Sequence, residues 1–334
     1  MLAAPHASPP HVTVVIPAYN TAPTIQRAIR SAMAQTMQSL EILVADDAST
    51  DTTAAETDAL CTEDPRIRLI RMPTNRGKSA AMNVMIAQAQ GHWIAVLDAD
   101  DIFHPTRLAR LIVAAEAANA DLVADNLQYY DAGARQVVRT GFPPFAGARR
   151  VATKDLIRHS DCFASFDYGL LKPVITRGFI ERHQLAYDED TRMSEDFYYL
   201  VNFFAAGGTG CLVGEALYVW TQPFGTNSRA WTTTGAGPWR YNYRDAIIVN
   251  ARVIARMVAQ GQTGIAAMLR RRTRQYTAMI PYLDAQRQAS EGQWPRAITS
   301  ILSHPATWRL LLNRIAGRAL RNLQGPIATG ARTP

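Results

Sequence analysis

The sequence predicts an α/β fold: a mostly parallel sheet flanked by helices, followed by a helical, basic C-terminal extension. Three observations lead there. Over the first 125 residues, short β-branched runs alternate with amphipathic segments, the pattern of a parallel sheet covered on both faces. The 334 residues are 48% hydrophobic and 19% charged, enough for a sizeable core and unlike a disordered chain. The net charge of +7 is unevenly spread: residues 251–334 hold 13 Arg, no Lys, one Asp and one Glu, a net +11, which leaves the first 250 at −4. Such asymmetry points to an anionic partner for the tail.

The elements follow in order. His11–Pro17 reads as a buried strand and Thr21–Gln35 as a helix, with apolar residues at helical spacing from Ile25 to Met33. Leu40–Ala45 is a second strand, and Ser49–Cys61 a second helix capped by Ser49 or Thr50. Ile67–Arg71 is a third strand, Lys78–Gln90 a third helix stopped by Gly91. His92–Leu97 is a fourth strand, Pro105–Ala118 a fourth helix ending at Asn119, and Asp121–Ala124 a fifth strand. Residues 126–190 lose this alternation, with glycine, proline and arginine clustered at Thr140–Arg150. Ser194–Ala206 reads as a buried helix, Cys211–Trp220 as a strand, and the chain from Arg244 onward as helical.

Several classes are set aside by composition. Three cysteines, Cys61, Cys162 and Cys211, form no CxxC pair, which argues against a disulfide scaffold or a cysteine-rich zinc site and fits a reducing cytoplasm. No charge-free stretch reaches the length of about 18 apolar residues that a membrane span needs. Residues 1–10 lack the basic and apolar regions of a secretory signal and are expected to form a loose arm.

Polar residues collect where the strands end: Ala18-Tyr19-Asn20, Asp46-Asp47, Asn75-Arg76-Gly77-Lys78 and Asp98-Ala99-Asp100-Asp101. An open parallel sheet binds its ligand beyond the carboxyl ends of its strands. Alternate residues of an extended segment share a face, so Asp98 and Asp100 can jointly hold a hard divalent cation, Mn²⁺ or Mg²⁺, alongside phosphate oxygens. Asp100 or Asp101 could instead cap the helix near Pro105. A carboxylate at Asp46 or Asp47 could read the imino N–H of a pyrimidine, since an unpaired buried donor costs roughly 1–3 kcal/mol. Lys78 is either a ligand contact or a solvated helix-end lysine. Ser194-Glu195-Asp196 precedes an aromatic run. Ser194 could cap that helix, or Asp196 could be a buried general base with its pKa raised by desolvation.

Taken together, VTVVIPAYN at 12–20, ILVADDASTD at 42–51, NRGKSAAMN at 75–83, WIAVLDADD at 93–101 and SEDFYYLVNFFAAG at 194–207 resemble glycosyltransferase family 2. The resemblance covers roughly residues 11–225. It implies a GT-A fold, an inverting reaction and a nucleotide-sugar donor, a UDP-sugar. It divides the chain into a nucleotide-sugar-binding half at 11–125, an acceptor-binding half at 126–243 and the basic extension at 244–334. It implies that Pro17, Ala18, Tyr19 and Asn20 line the nucleotide pocket, that Asp47 reads uracil with Asp46 beside it, and that Lys78 contacts the donor. Asp100 would hold the metal, Asp98 would touch ribose or metal shell, and Asp196 would be the base with Glu195 as rival.

Three departures stand out. Met82 replaces an arginine of many relatives, and no His occurs between His183 and His304 to complete a metal shell. The stretch 220–228, where many relatives place that His, reads WTQPFGTNS. The absence of QxxRW and of a membrane span favours single sugar addition over processive synthesis. The rivals are weaker. The glycines at 207–214 follow a helix and precede a strand, the reverse of a dinucleotide fingerprint. A nucleotidyltransferase would want a glycine-rich loop after the first strand; a non-catalytic sugar-binding or scaffold protein would have no need of both acidic motifs.

The acceptor is expected to be a glycan or a lipid-linked sugar of bacterial exopolysaccharide or surface-glycan assembly. At helical spacing within Pro305–Leu323, Trp308, Leu311, Leu312, Ile315, Ala319 and Leu323 share a face beside Arg314, Arg318 and Arg321, with Arg270, Arg271, Arg272 and Arg274 upstream. Such a helix can lie on an anionic membrane surface or pack on the domain. The expected location is cytoplasmic, peripheral on the inner face of the plasma membrane. No nucleic-acid module accompanies the charge.

Overall fold

The computed structural model describes residues 10–160, 166–191, 194–222, 243–305 and 307–308. The first half follows the alternation of the sequence: β1 (Val12–Ala18), α1 (Ile25–Met33), β2 (Leu40–Asp46), α2 (Thr53–Glu63), β3 (Ile67–Arg71), α3 (Lys78–Gln88), β4 (Trp93–Val96), β5 (Ile102–Phe103) and α4 (Arg107–Ala118). β3, β2, β1 and β4 are parallel neighbours in that order. Their apolar runs are continuous because both faces are covered. Val12, Val14 and Ile16 pack on one side with Ala28, Ile29 and Leu111. Val15, Leu43 and Ile94 pack on the other with Ala81 and Met85.

The second half departs from simple alternation. β6 (Leu122–Asp131) is longer than its apolar stretch suggested, and β7 (Gln136–Thr140), β8 (Ala148–Val151), α5 (Thr153–Arg158), β9 (Val174–Thr176) and α6 (Arg177–His183) occupy the region without a clear pattern. α7 (Glu195–Ala205) and β10 (Gly210–Gln222) follow. β9 inserts between β4 and β6, antiparallel to both. Beyond it, β10 runs parallel to β6 and antiparallel to β5 and β8. The sheet is therefore mixed, its first half wholly parallel. Because β9 is reversed, its beginning lies beside the carboxyl end of β4, where the polar strand ends converge.

Some local expectations are corrected. The second helix begins at Thr53, not Ser49, because Ser49 and Thr50 are engaged elsewhere: Asn20 N donates to Ser49 Oγ at 3.0 Å and Thr50 N to Asn20 Oδ1 at 2.8 Å. Asp51 accepts Thr53 N at 2.9 Å. Gly91 does not stop α3, which ends at Gln88. A Cβ at Gly91 would lie 2.4 Å from Thr13 N, so this glycine permits close approach to β1. Ser194 sits at φ 59° and its side chain does not cap α7. The glycines after α7 do form a helix end, with Gly207 at φ 87°.

The C-terminal helices are α8 (Tyr243–Ala259), α9 (Thr263–Ser290) and α10 (Trp294–Leu302). α8 and the start of α9 bury Val249, Val253, Met257, Ile265 and Leu269 in the same cluster as α7. The arginine cluster is split. Arg270, Arg271 and Arg274 are exposed, but Arg272 is buried with its guanidinium 3.6 Å from the Phe197 ring centroid and its Nε donating to Ser160 O at 2.9 Å. A desolvated cation over an aromatic face is worth about 2 kcal/mol, which explains the inward turn. Cys61 and Cys211 are free thiols. The N-terminal residues 1–9, Cys162, most of the segment expected to lack a metal-binding His (223–228) and the basic helix beyond Trp308 lie outside the described residues. Among the described residues, no helix is long and apolar enough to cross a membrane.

Candidate active site

A cleft of about 560 Å³ opens at the carboxyl ends of β1, β2 and β4. Its walls come from eight segments distant in sequence, six of which carry the polar and aromatic groups that follow. Pro17, Ala18 and the half-exposed Tyr19 form one wall at the end of β1. Asp47 follows β2, Lys78 opens α3, and Asp98 and Asp100 follow β4. Lys172 precedes β9, and Glu195 and Asp196 open α7.

Several of these residues are held from behind. Asp47 accepts Arg76 N at 2.8 Å through Oδ1 and Gly77 N at 2.7 Å through Oδ2. Its carboxylate thus braces the loop entering α3, where Gly77 at φ 85° makes a turn that side chains rarely adopt. The Asp98–Asp101 turn is pinned on two sides. Arg27 Nη2 donates to Asp100 O at 2.6 Å. Asp101 accepts the Tyr218 hydroxyl at 2.7 Å and Thr221 N at 2.9 Å. Neither Asp100 nor Asp101 caps α4, whose N-terminal flank is Thr106.

Two ammonium groups organise the acidic side chains of the cleft. Lys172 Nζ lies 2.8 Å from Asp98 Oδ2 and 2.7 Å from Asp196 Oδ2. Lys78 Nζ lies 3.1 Å from Asp98 Oδ1, 2.9 Å from Asp196 Oδ2 and 3.7 Å from Glu195 Oε1. Burial by itself would raise both aspartates, but Lys172 and Lys78 outweigh it and hold Asp98 and Asp196 below the usual carboxylate range. The raised pKa expected of Asp196 is therefore reversed, because its partners are cations. Glu195 goes the other way: burial, then the Asp196 charge, lift it above the ordinary glutamate value.

The structure brings Pro17, Ala18, Tyr19, Asp47, Lys78, Asp98, Asp100, Glu195 and Asp196 to one cleft. Asn20 and Asp46 are not among its lining residues. Asn20 ties the β1 and β2 loops together through Ser49 and Thr50, and Asp46 is buried at the end of β2. Lys172 escaped the sequence reading. Its one signal was a lone lysine in the apolar run LLKPVI, where a charge needs a buried partner.

The family resemblance implies a divalent cation, and Asp100 fits one. No other described residue donates to its carboxylate, which burial and the Asp98 charge push up to about 6. A cation would relieve both effects. Among the described residues no cluster of three or more His, Cys, Asp or Glu side chains could hold a metal, so phosphate oxygens would complete the shell, as they do for Mg²⁺ in nucleotide sites.

Comparison with known proteins shows the family and the fold. The glycosyl transferase family 2 profile matches residues 13–173. Succinoglycan biosynthesis protein ExoO of Rhizobium meliloti (strain 1021) is 35% identical over 314 residues, 93% of this chain and 87% of that protein. ExoU of the same organism is 36% identical over 197 residues, 57% of this chain and 56% of its own length. Among solved structures, S. aureus TarS 1–349 with UDP-GlcNAc superposes with a TM-score of 0.60 at 16% identity, covering 88% of this chain and 81% of that one. The mannosyltransferase PcManGT from Pyrobaculum calidifontis with GDP-Man and Mn²⁺ gives 0.52 at 18% identity, covering 96% and 85%. The fold is GT-A-like, and with a near full-length relative sharing a third of its residues, the chain belongs to glycosyltransferase family 2.

Proposed function

We propose that the protein moves one sugar from a nucleotide-sugar donor, a UDP-hexose, to an acceptor hydroxyl with inversion, in the assembly of a bacterial exopolysaccharide or surface glycan. The observation that carries this reading is the convergence of Asp47, Lys78, Asp98, Asp100, Glu195 and Asp196 on one cleft. Relatives named for succinoglycan biosynthesis and structural neighbours bound to UDP and UDP-GlcNAc support the donor class and the setting.

In this mechanism Tyr19 and Pro17 flank the base, Asp47 accepts a hydrogen bond from its imino N–H, and Lys78 meets the diphosphate. Asp100 would hold a Mn²⁺ or Mg²⁺ ion, which when bound would supply charge neutralisation for the leaving diphosphate. Asp196 takes the proton of the acceptor hydroxyl as that oxygen bonds to the anomeric carbon. The bond from that carbon to the diphosphate oxygen breaks, and its electron pair leaves with the nucleoside diphosphate. A single displacement inverts the centre.

The acceptor is a glycan, lipid-linked at a membrane surface. The exposed Trp294, Ile298 and Leu302 recur every fourth residue along α10, and Trp308 follows. With the exposed Arg270, Arg271 and Arg274 of α9, they support peripheral docking on an anionic inner leaflet. The decisive experiment is nucleoside diphosphate release from a panel of UDP-sugars and GDP-mannose, with Mn²⁺, Mg²⁺ or EDTA. One UDP-sugar should stand out with metal; release from none of them would overturn the reading.

A further inference from the structure

Lys172 is the least expected member of the cleft, and the transfer reading above gives it no role. The inference drawn from it rests on that reading. The chain contains three lysines, Lys78, Lys154 and Lys172, against 32 arginines, yet two of the three meet here. An ammonium is a compact point charge with three donors, able to sit between two carboxylates where a planar guanidinium would take one in a fork.

The two lysines are held differently. Lys172 is almost fully buried, and its backbone is locked. Its carbonyl accepts Arg107 Nη2 at 2.5 Å, and Arg107 is itself buried against Asp125 at 2.8 Å. The next carbonyl, of Pro173, accepts Val96 N of β4 at 3.2 Å. Lys78 stands on the first turn of α3 at the cleft mouth, its side chain 25% exposed against 8% for Lys172. Both ammonium groups cover Asp196 Oδ2, while Oδ1 is buried and takes no hydrogen bond from any described residue. As it stands, no oxygen of the base is open to an acceptor.

We propose that Lys172 is a positioning residue, a fixed strut holding Asp196 and Asp98 at a set separation, while Lys78 is the exchangeable cation that leaves Asp196 for the donor diphosphate. Departure of Lys78 uncovers Oδ2 on the cleft side. Lys172 keeps the carboxylate from following, so the base stays aimed at the acceptor while Asp98 stays aimed at the donor.

The test combines lysine labelling with variants. Native enzyme is reductively dimethylated, with and without the nucleoside diphosphate (UDP or GDP) that raises its melting temperature more in Mn²⁺, and the lysines are read by mass spectrometry. Lys154, which is exposed, should label throughout. Lys78 should label in free enzyme and be protected by nucleotide, and Lys172 should resist in both states. Labelling of Lys172, or indifference of Lys78 to nucleotide, overturns the proposal without any variant being made. In kinetics, Lys172→Met should lower kcat about 10²-fold, the scale of a misplaced reacting group, with donor KM within about threefold. Lys78→Met should instead raise donor KM about tenfold or more, the scale of one charge-assisted contact. Lys172→Arg should restore thermal stability but only part of kcat. Equal effects of the two Met variants on KM, or full kcat in Lys172→Met, would reject the division of roles. Asp196→Asn separates the two levels. If it keeps full turnover, the assignment of the base fails; if it is inactive while Lys172→Met keeps full kcat, the strut alone fails.

Discussion

Asp196 illustrates how one residue is tuned by opposing effects. Burial favours its neutral form, and two ammonium groups within 2.9 Å favour the charged one and prevail. The groups facing it are Lys78, Lys172, Asp98, Glu195 and Tyr187. The proposed base acts when deprotonated, so a lowered pKa would keep Asp196 competent as pH falls through the range where a free aspartate protonates. In Lys172→Met one lowering partner is gone while desolvation remains, so the acid limb of kcat/KM should move to higher pH; an unmoved limb would contradict the electrostatic account. Asp196→Asn should lower turnover about 10²-fold or more with nucleotide binding retained, and Glu195→Gln should do less. The reverse order of effects would make Glu195 the base. Asp100→Ala should abolish transfer and the part of nucleotide affinity that depends on Mn²⁺, measured by calorimetry with and without EDTA. Transfer at full rate in excess EDTA would exclude a metal role.

At the scale of elements, close approach and exposed faces make the predictions. β1 and the turn before β4 meet at Gly91, whose amide donates to Thr13 Oγ1 at 2.9 Å. A methyl there would meet the backbone of β1, so Gly91→Ala should destabilise the fold by about 1–3 kcal/mol, the usual cost of overpacking. Chemical denaturation reads it, and an unchanged midpoint would refute the contact. The α10 face with Trp294, Ile298 and Leu302 belongs to the docking proposal. The protein should pellet with anionic and not neutral liposomes, less so at high salt. Deleting residues 305–334, or replacing Trp294 and Ile298 with serine, should weaken pelleting, and undiminished binding by both variants would place the anchor elsewhere.

The molecule as a whole is stitched by Arg107 and Asp125, which join α4, β6, β10 and Lys172 just ahead of β9. Asp125 accepts Arg107 Nη2 at 2.8 Å and Leu217 N at 3.1 Å, and the side chains of Arg107 and Asp125 are fully buried. Arg107 also lies 4.3 Å from the Phe103 ring centroid. Breaking such a pair strands a buried charge, at about 3–5 kcal/mol. Asp125→Ala should lose that much in denaturant titration. Turnover should fall further than stability explains, because the Lys172 carbonyl loses a fixed partner. A variant with wild-type turnover would detach the core pair from the site.

The sequence alone determined the parallel half of the sheet, its helices and most of the cleft. Continuous apolar runs such as VTVVIP and WIAVL can only be strands covered on both faces, and the polar residues ending them must gather at one edge. That logic reached Asp47, Lys78, Asp98 and Asp100; the Glu195-Asp196 pair was found instead as acids ahead of an apolar, aromatic helix and by family resemblance. It could not separate Asp46 from Asp47, since adjacent strand-end residues point opposite ways and only the finished sheet decides which faces the cleft. Nor could it reach β9, a three-residue strand too short to show periodicity, whose reversed direction is set by its neighbours. Lys172 was hidden for that reason: its place beside Asp98 and Asp196 follows from β9 running antiparallel between β4 and β6. The sign of the Asp196 pKa shift was hidden with it, because burial is legible in an apolar run of sequence and a countercharge brought from 24 residues away is not.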